Sequence, residues 1–384
     1  MKYFLILTFT VLLSNIGICQ ADITLNHAQE AFNKGAYKEA FQLYSACIEK
    51  DSTVIEYYEK KGLSAQRMGK LADAKQTFLH IVEVDSSHQM ALSQLASLYE
   101  QENNPPKVIK YYTQLTKVFP DNAIFKRKLA QNYAKAGSLF DAFYSYREAY
   151  KLNPEDIYTV KGLSEIFLQN EQYTLADSLL VIGLNLDSTN IDFHQLIARS
   201  KYKQKQYDST IYYLKKIEGQ VDLSAYFNKL VGYSLIQIDS FEQSLFYLDR
   251  ALTDEGSKEY VHYYLATAYE SLENEEYAEH HYKKALEEGI SPNVDNYHRS
   301  LAKIYNSNNN LKEAIPHYND AYKYGKDPVI LFYLARASDA YYKDKSIAIN
   351  YYNKYAKSSH SNDEYKKYSK SRARVLKKER HQSR

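Results

Sequence analysis

The feature that most limits what this chain can become is a beat of 34 residues. Small or compact residues return at Ala40, Ala74, Val108, Ala142, Ala176, Thr210, Ser244, Ala278, Ala314 and Ala348, every step being 34 except one of 36. The two extra residues fall between Ser244 and Ala314, most simply near Ile290–Asn293. Four places beyond each small residue stands a large apolar one: Tyr44, Phe78, Tyr112, Tyr146, Leu180, Leu214, Leu248, Tyr282, Tyr318 and Tyr352. Twelve places before all but the last stands another small residue: Ala28, Gly62, Ala96, Ala130, Ser164, Ala198, Gly232, Ala266 and Ala302.

The unit Ala123–Asp156 shows what the beat encodes. Leu129, Ala130 and Tyr133 share one face of a first helical segment, Gly137 breaks it, and Ala142, Tyr146 and Ala149 share one face of a second. Asn153-Pro154 stops that second segment, because proline lacks a donor and restricts the residue before it. Two antiparallel helices joined by a tight turn approach closely only where both present small side chains, and a large neighbour fills the space beside that contact. Each pair still leaves an apolar face that only the next pair can cover, so the chain must stack.

The order of these residues, a Leu-Gly/Ala pair, then Tyr, Gly, Ala, Tyr, Ala and Pro, resembles the tetratricopeptide repeat (TPR) signature. The resemblance implies an all-α fold, a right-handed α-α superhelix or TPR solenoid of about ten helix-turn-helix repeats. Their expected bounds are 21–54, 55–88, 89–122, 123–156, 157–190, 191–224, 225–258, 259–292, 295–328 and 329–357, within a TPR array spanning 20–357. In the tenth, Arg336 falls at the usual small position. Residues 358–384 read as a basic C-terminal cap helix and tail, with Tyr365, Tyr368 and Val375 seating its start. Asp51-Ser52, Asp85-Ser86 and Asp187-Ser188 stand where proline would end a unit and are expected to cap the helix that follows.

A length of 384 residues would ordinarily suggest two or three domains, but the unbroken period argues for one elongated array. The formal net charge of +2 provides no global field toward nucleic acid or acidic lipid. Forty tyrosines and no tryptophan enrich the surface in amphipathic rings of the kind favoured at interfaces.

At the N-terminus, Lys2, the apolar run Phe4–Leu13 and the more polar Ser14–Gln20 have the order of a secretory signal peptide, too short for a membrane span. Cleavage after Cys19, making 1–19 the signal, is favoured over cleavage after Ala21; Ile18 disfavours a lipoprotein anchored through Cys19. The mature chain would keep only Cys47, a small hydrophobe at a packing position, and no transmembrane segment. These features suit an exported protein, periplasmic or associated with an outer membrane.

Catalytic patterns are missing. Gly62–Lys70 has the wrong glycine spacing for a phosphate loop, and no GxSxG, HExxH or paired CxxC occurs. His280-His281 with Glu276 and Glu279 is the best metal candidate, but adjacent helical residues point about 100° apart. The expectation is no enzyme, no cofactor and no metal.

In TPR proteins the first helix of each repeat lines the concave surface. Carried onto this chain, the ligand-facing places are Arg127, Gln131, Lys161, Arg199, Tyr202, Tyr226, Lys229, Tyr233, Tyr260, Tyr263, Arg299 and Lys303, with Glu56 and Glu59 near the start. The Lys-Asn-Asn-Lys-Arg clamp of chaperone-binding TPR proteins is not reproduced. A basic, tyrosine-lined groove suits an extended acidic or C-terminal segment of a protein or peptide partner. The resemblance therefore implies a non-enzymatic protein-protein interaction scaffold, expected in a cell-envelope or secretion assembly. The alternative is a polysaccharide-binding module whose groove tyrosines stack on sugar rings.

Overall fold

The computed structural model describes residues 24–253, 258–288, 292–358 and 362–382. The expected signal, residues 1–19 with Cys19, lies outside them, as do Ile290 and Ser291 of the insertion expected near Ile290–Asn293. Secondary structure in the described residues is helical throughout, twenty-one helices without a strand. No described helix is long and apolar enough to cross a membrane.

Although the period runs without change through residue 188, the chain divides there into two compact units, Met1–Ser188 and Thr189–Arg384. The first holds α1 (24–33), α2 (Tyr37–Lys50), α3 (Ile55–Arg67), α4 (Leu71–Val84), α5 (Gln89–Gln101), α6 (Pro105–Val118), α7 (Ala123–Lys135), α8 (Leu139–Leu152), α9 (Ile157–Gln169) and α10 (Tyr173–Leu186). The second holds α11 (Ile191–Lys203), α12 (Tyr207–Lys215), α13 (Ala225–Gln237), α14 (Phe241–Ala251), α15 (Lys258–Ser271), α16 (Glu275–Glu288), α17 (Val294–Ser307), α18 (Leu311–Gly325), α19 (Pro328–Tyr341), α20 (Ser346–Ala356) and α21 (Asp363–Gln382). Within each unit every helix packs on its neighbours in sequence, and some first helices of successive hairpins also touch: α7 with α9, α11 with α13, and α13 with α15.

The alternation of small and large residues is the packing rule. Every small and large residue of the 34-residue beat named above is buried. Within a hairpin, Gly62 faces Phe78 and Gly232 faces Leu248 so closely that an added Cβ would lie 2.7 and 2.6 Å from the opposing ring or branch carbon. Gly162 meets Tyr146 of the preceding hairpin in the same way, at 2.2 Å. The turns repeat as strictly. The residue at Gly35, Gly69, Asn103, Gly137, Glu171, Lys205, Asp239, Glu273 and Asn309 has a positive φ, between 50° and 79° in every case. A left-handed residue is what lets the chain reverse between the two helices of a hairpin.

Some local expectations change. Asp51 and Asp85 end the helix before them: their carboxylates accept from the amide and hydroxyl of Thr53 and Ser87, at 2.9 and 2.6 Å in both turns, which lowers both carboxyl pKa values. The residue that caps α5 is instead His88, whose Nδ1 accepts from the Ala91 amide at 3.3 Å. Pro316 is the sixth of the 15 residues of α18, and the helix continues through it. Arg336 is exposed, and Ala335 takes the small position with no exposure, because the loop of 342–345 is one residue longer than in the other hairpins.

The C-terminal α21 caps the second unit. Ser369, Ala373 and Leu376 are its buried face, and Tyr365 stacks on Phe332 with ring centroids 4.2 Å apart. Tyr368 packs against Phe332 and Tyr352, with centroids 5.8 and 6.1 Å apart, while keeping one side exposed, and Val375 is exposed. Arg372 fastens the helix by donating to Asp339 at 2.7 and 3.3 Å.

Candidate functional site

The residues expected to face a ligand lie on the first helices of their hairpins, and the structure sorts them into three kinds. Some are already engaged by the chain itself. On α7, Arg127 Nε lies 2.8 Å from Asp156 Oδ2, and its guanidinium carbon lies 5.0 Å from the centre of the Tyr158 ring. On α17, Arg299 donates to Asp327 at 3.0 Å. On α3, Glu59 pairs with His88 Nε2 at 2.8 Å. Asp156, Asp327 and His88 each stand just before the first helix of the next hairpin, as its N-terminal cap residue. The arrangement is one clasp made three times: a side chain from one hairpin holds the start of the next. A carboxylate there also sits favourably at the positive end of the helix dipole.

The second kind is aromatic and belongs to the second unit. Tyr202 on α11 packs edge-on against Tyr233 on α13, with centroids 5.7 Å apart. Tyr207 contacts both, at 6.4 and 5.9 Å. Tyr233 meets Tyr264 on α15 at 4.7 Å, Tyr264 meets Tyr263 at 5.8 Å, and Tyr263 meets Tyr297 on α17 at 5.0 Å. A ladder of tyrosines thus joins the first helices of four successive hairpins. Burial pushes Tyr202 up to about 12 and raises Tyr233, Tyr263 and Tyr264, so the rungs stay uncharged at neutral pH. Tyr226 and Tyr260 stand outside it and are more exposed, at 40% and 38%. The Lys229 ammonium lies 5.9 Å from the centre of the Tyr226 ring.

The third kind is exposed charge. Arg199 on α11 and Lys303 on α17 hold the same register in their repeats and are exposed, and neither has an ion pair among the described residues. Gln131 on α7 and Lys161 on α9 are half-buried in the first unit.

Sequence reasoning missed Tyr207, Tyr264 and Tyr297, because it followed one helical face while the ladder crosses from face to face. It also missed the clasp partners, although their spacing of 28 or 29 residues from Glu59, Arg127 and Arg299 was a readable signal. Of the pair His280-His281, His281 turns onto His262 of α15, and His280 meets its ring only edge-on, with centroids 5.2 Å apart. No group of three His, Cys, Asp or Glu among the described residues is placed to hold a metal ion.

Residues 25–186 match the sequence family described as the N-terminal TPR repeats region of psidin. No curated protein matches the chain. Among solved structures it is similar to a tetratricopeptide repeat protein from Parabacteroides merdae, with 13% identity over 65% of this chain and 98% of that one and a TM-score of 0.45. It is also similar to pilF of Pseudomonas aeruginosa, at 18% identity over 52% of this chain and 90% of that one, TM-score 0.44. YrrB, described as a TPR protein with an unusual peptide-binding site, shares 18% identity over 46% of this chain and 91% of its own, TM-score 0.43.

Proposed function

This chain is a tetratricopeptide repeat protein, and from that premise we propose that it is a non-enzymatic scaffold binding extended, acidic protein segments along the first helices of its second unit. The observation that carries the reading is the pairing of exposed Arg199 and Lys303, without an ion pair among the described residues, with a packed tyrosine ladder between the helices that bear them. Arginine offers a bidentate fork to a carboxylate, and tyrosines already packed together lose little freedom on binding. Arg127 and Arg299 belong to the clasps and serve the stack.

The ladder also weighs against sugar recognition. A sugar needs an open aromatic face, and the ladder rings turn theirs onto one another, leaving Tyr226 and Tyr260 as the exposed rings of the set. The charged and apolar order of residues 2–20 supports an exported scaffold working in a cell-envelope or secretion assembly.

The test is fluorescence polarisation with a panel of extended peptides rich in Asp and Glu, with free and amidated C-termini. Binding should weaken with salt and fall at least about tenfold in the Arg199→Glu, Lys303→Glu double variant, the ordinary effect of reversing two contact charges. If no acidic peptide binds, or if the double variant binds as well as the wild type, the reading is wrong.

A further inference from the structure

Two pairs of histidines stand at the same place in consecutive hairpins of the second unit. His262 on α15 faces His281 on α16 with 2.9 Å between their Nδ1 atoms, and His298 on α17 faces His317 on α18 with 2.8 Å. The second pair lies 36 residues beyond the first at both members, the length of the longer step in the period. Each pair joins the two helices of its own hairpin. Each is backed by a tyrosine at equivalent register: Tyr269 stacks on His281 with centroids 5.6 Å apart, and Tyr305 on His317 at 5.5 Å.

Two Nδ1 atoms at that distance share one hydrogen bond, so one ring donates and the other accepts. A first proton can be taken up at the donor ring's Nε2, and the shared bond then becomes charge-assisted. A second proton must go to the accepting Nδ1. It replaces the bond with two N–H groups pointing at each other and places two cations in contact.

We propose that these two pairs form an acid-operated latch: each keeps its hairpin closed while it carries no more than one proton, and the second proton opens α15–α18. The surroundings favour that behaviour. Burial, with the opposing histidine adding to it, holds His281 down to about 4 and His317 below its ordinary value; burial likewise lowers His262 and His298. Facing the first pair are His280, Lys258 and Lys284, which oppose protonation, and Glu287 and Glu288, which favour it. Facing the second are Lys283 and Lys323 against protonation, with Asp320, Glu313 and Glu279 for it. An unfolded hairpin has no such conflict and takes both protons near pH 6.5, so the closed state loses ground as pH falls below about 6.5, toward about 4 for His281.

The test is hydrogen exchange on the full chain at about pH 7 and about pH 5, with intrinsic rates corrected for pH, alongside the His281→Gln, His317→Gln double variant. In the wild type, opening of α15–α18 should rise about tenfold at the lower pH, one pK unit of suppressed proton uptake being a factor of ten, while α11–α14 stays unchanged. In the variant, which has one titrating ring per pair, most of the rise should be lost, leaving what burial of His262 and His298 alone produces. An equal response in both proteins, or none in the wild type, overturns the latch. Should the variant fail to fold, an NMR titration of the wild-type histidines decides: both pairs must titrate in two steps, the second well below 6.5, and four single steps near 6.5 refute the proposal.

Discussion

Replacing Gly232 by alanine sets two physical effects of opposite sign against each other. Helix propensity alone predicts a gain of about 1 kcal/mol, since Gly232 lies in the interior of α13. The packing predicts a loss. A Cβ at 232 would stand 2.6 Å from Leu248 Cγ and 2.7 Å from its Cδ2, about 1 Å inside ordinary carbon–carbon contact. Leu248 is fully buried, and Cγ is a branch point rather than a free tip, so it cannot swing aside. Overpacking of that kind costs about 1–3 kcal/mol, so the net expectation is a loss of about 1 kcal/mol. Leu248→Ala alone should lose about 2–5 kcal/mol to the cavity it leaves. On that background Gly232→Ala should turn stabilising, because its methyl enters vacated space, and the two changes should couple by about 2 kcal/mol. Native-state hydrogen exchange of α13 and α14 reads the local free energy in a chain that need not melt in one step. If Gly232→Ala stabilises α13 by the same amount in both backgrounds, propensity governs and the close-contact account of the period fails.

Lys205 holds the left-handed turn position that glycine fills in three other hairpins, with φ at 59°. Lys205→Gly should therefore stabilise α11 and α12 by about 0.5–1 kcal/mol, seen as slower exchange there. Removing Arg372 leaves Asp339 nearly buried with only Lys345 opposite it; Arg372→Ala should loosen α21 by about 1–3 kcal/mol and expose it to trypsin before the rest of its unit. Asp156→Ala should free Arg127 and destabilise the start of α9 by about 1 kcal/mol, and the effect should shrink in high salt. In acid, the depressed folded-state values of the paired histidines mean that their contribution is complete above about pH 6.5 and lost as pH falls below it, toward about 4 for His281. A pH series of melting curves should show that slope in the wild type and lose most of it in the His281→Gln, His317→Gln variant.

How much of the candidate site could be read beforehand depends on whether a property repeats. Arg199 and Lys303 were found because they hold one register, and register survives from the linear chain into the helix face. The engagement of Arg127 by Asp156 and of Arg299 by Asp327 was not found, because whether a cation faces solvent or the next cap depends on how one hairpin sits on another. The tyrosine ladder and the histidine pairs were hidden for the same reason: Tyr207 and Tyr233, or His262 and His281, become neighbours only after two helices close.

The sequence by itself determined the helical class, the hairpin as the unit, and which residues would be buried, since a 34-residue alternation of small and large side chains has one steric solution and that solution repeats. Tertiary structure alone decided which charges remain available, which rings touch and where the chain divides into two units. Those outcomes turn on side-chain distances of a few ångströms across helix pairs, and a periodic sequence carries the same beat whichever way such distances fall.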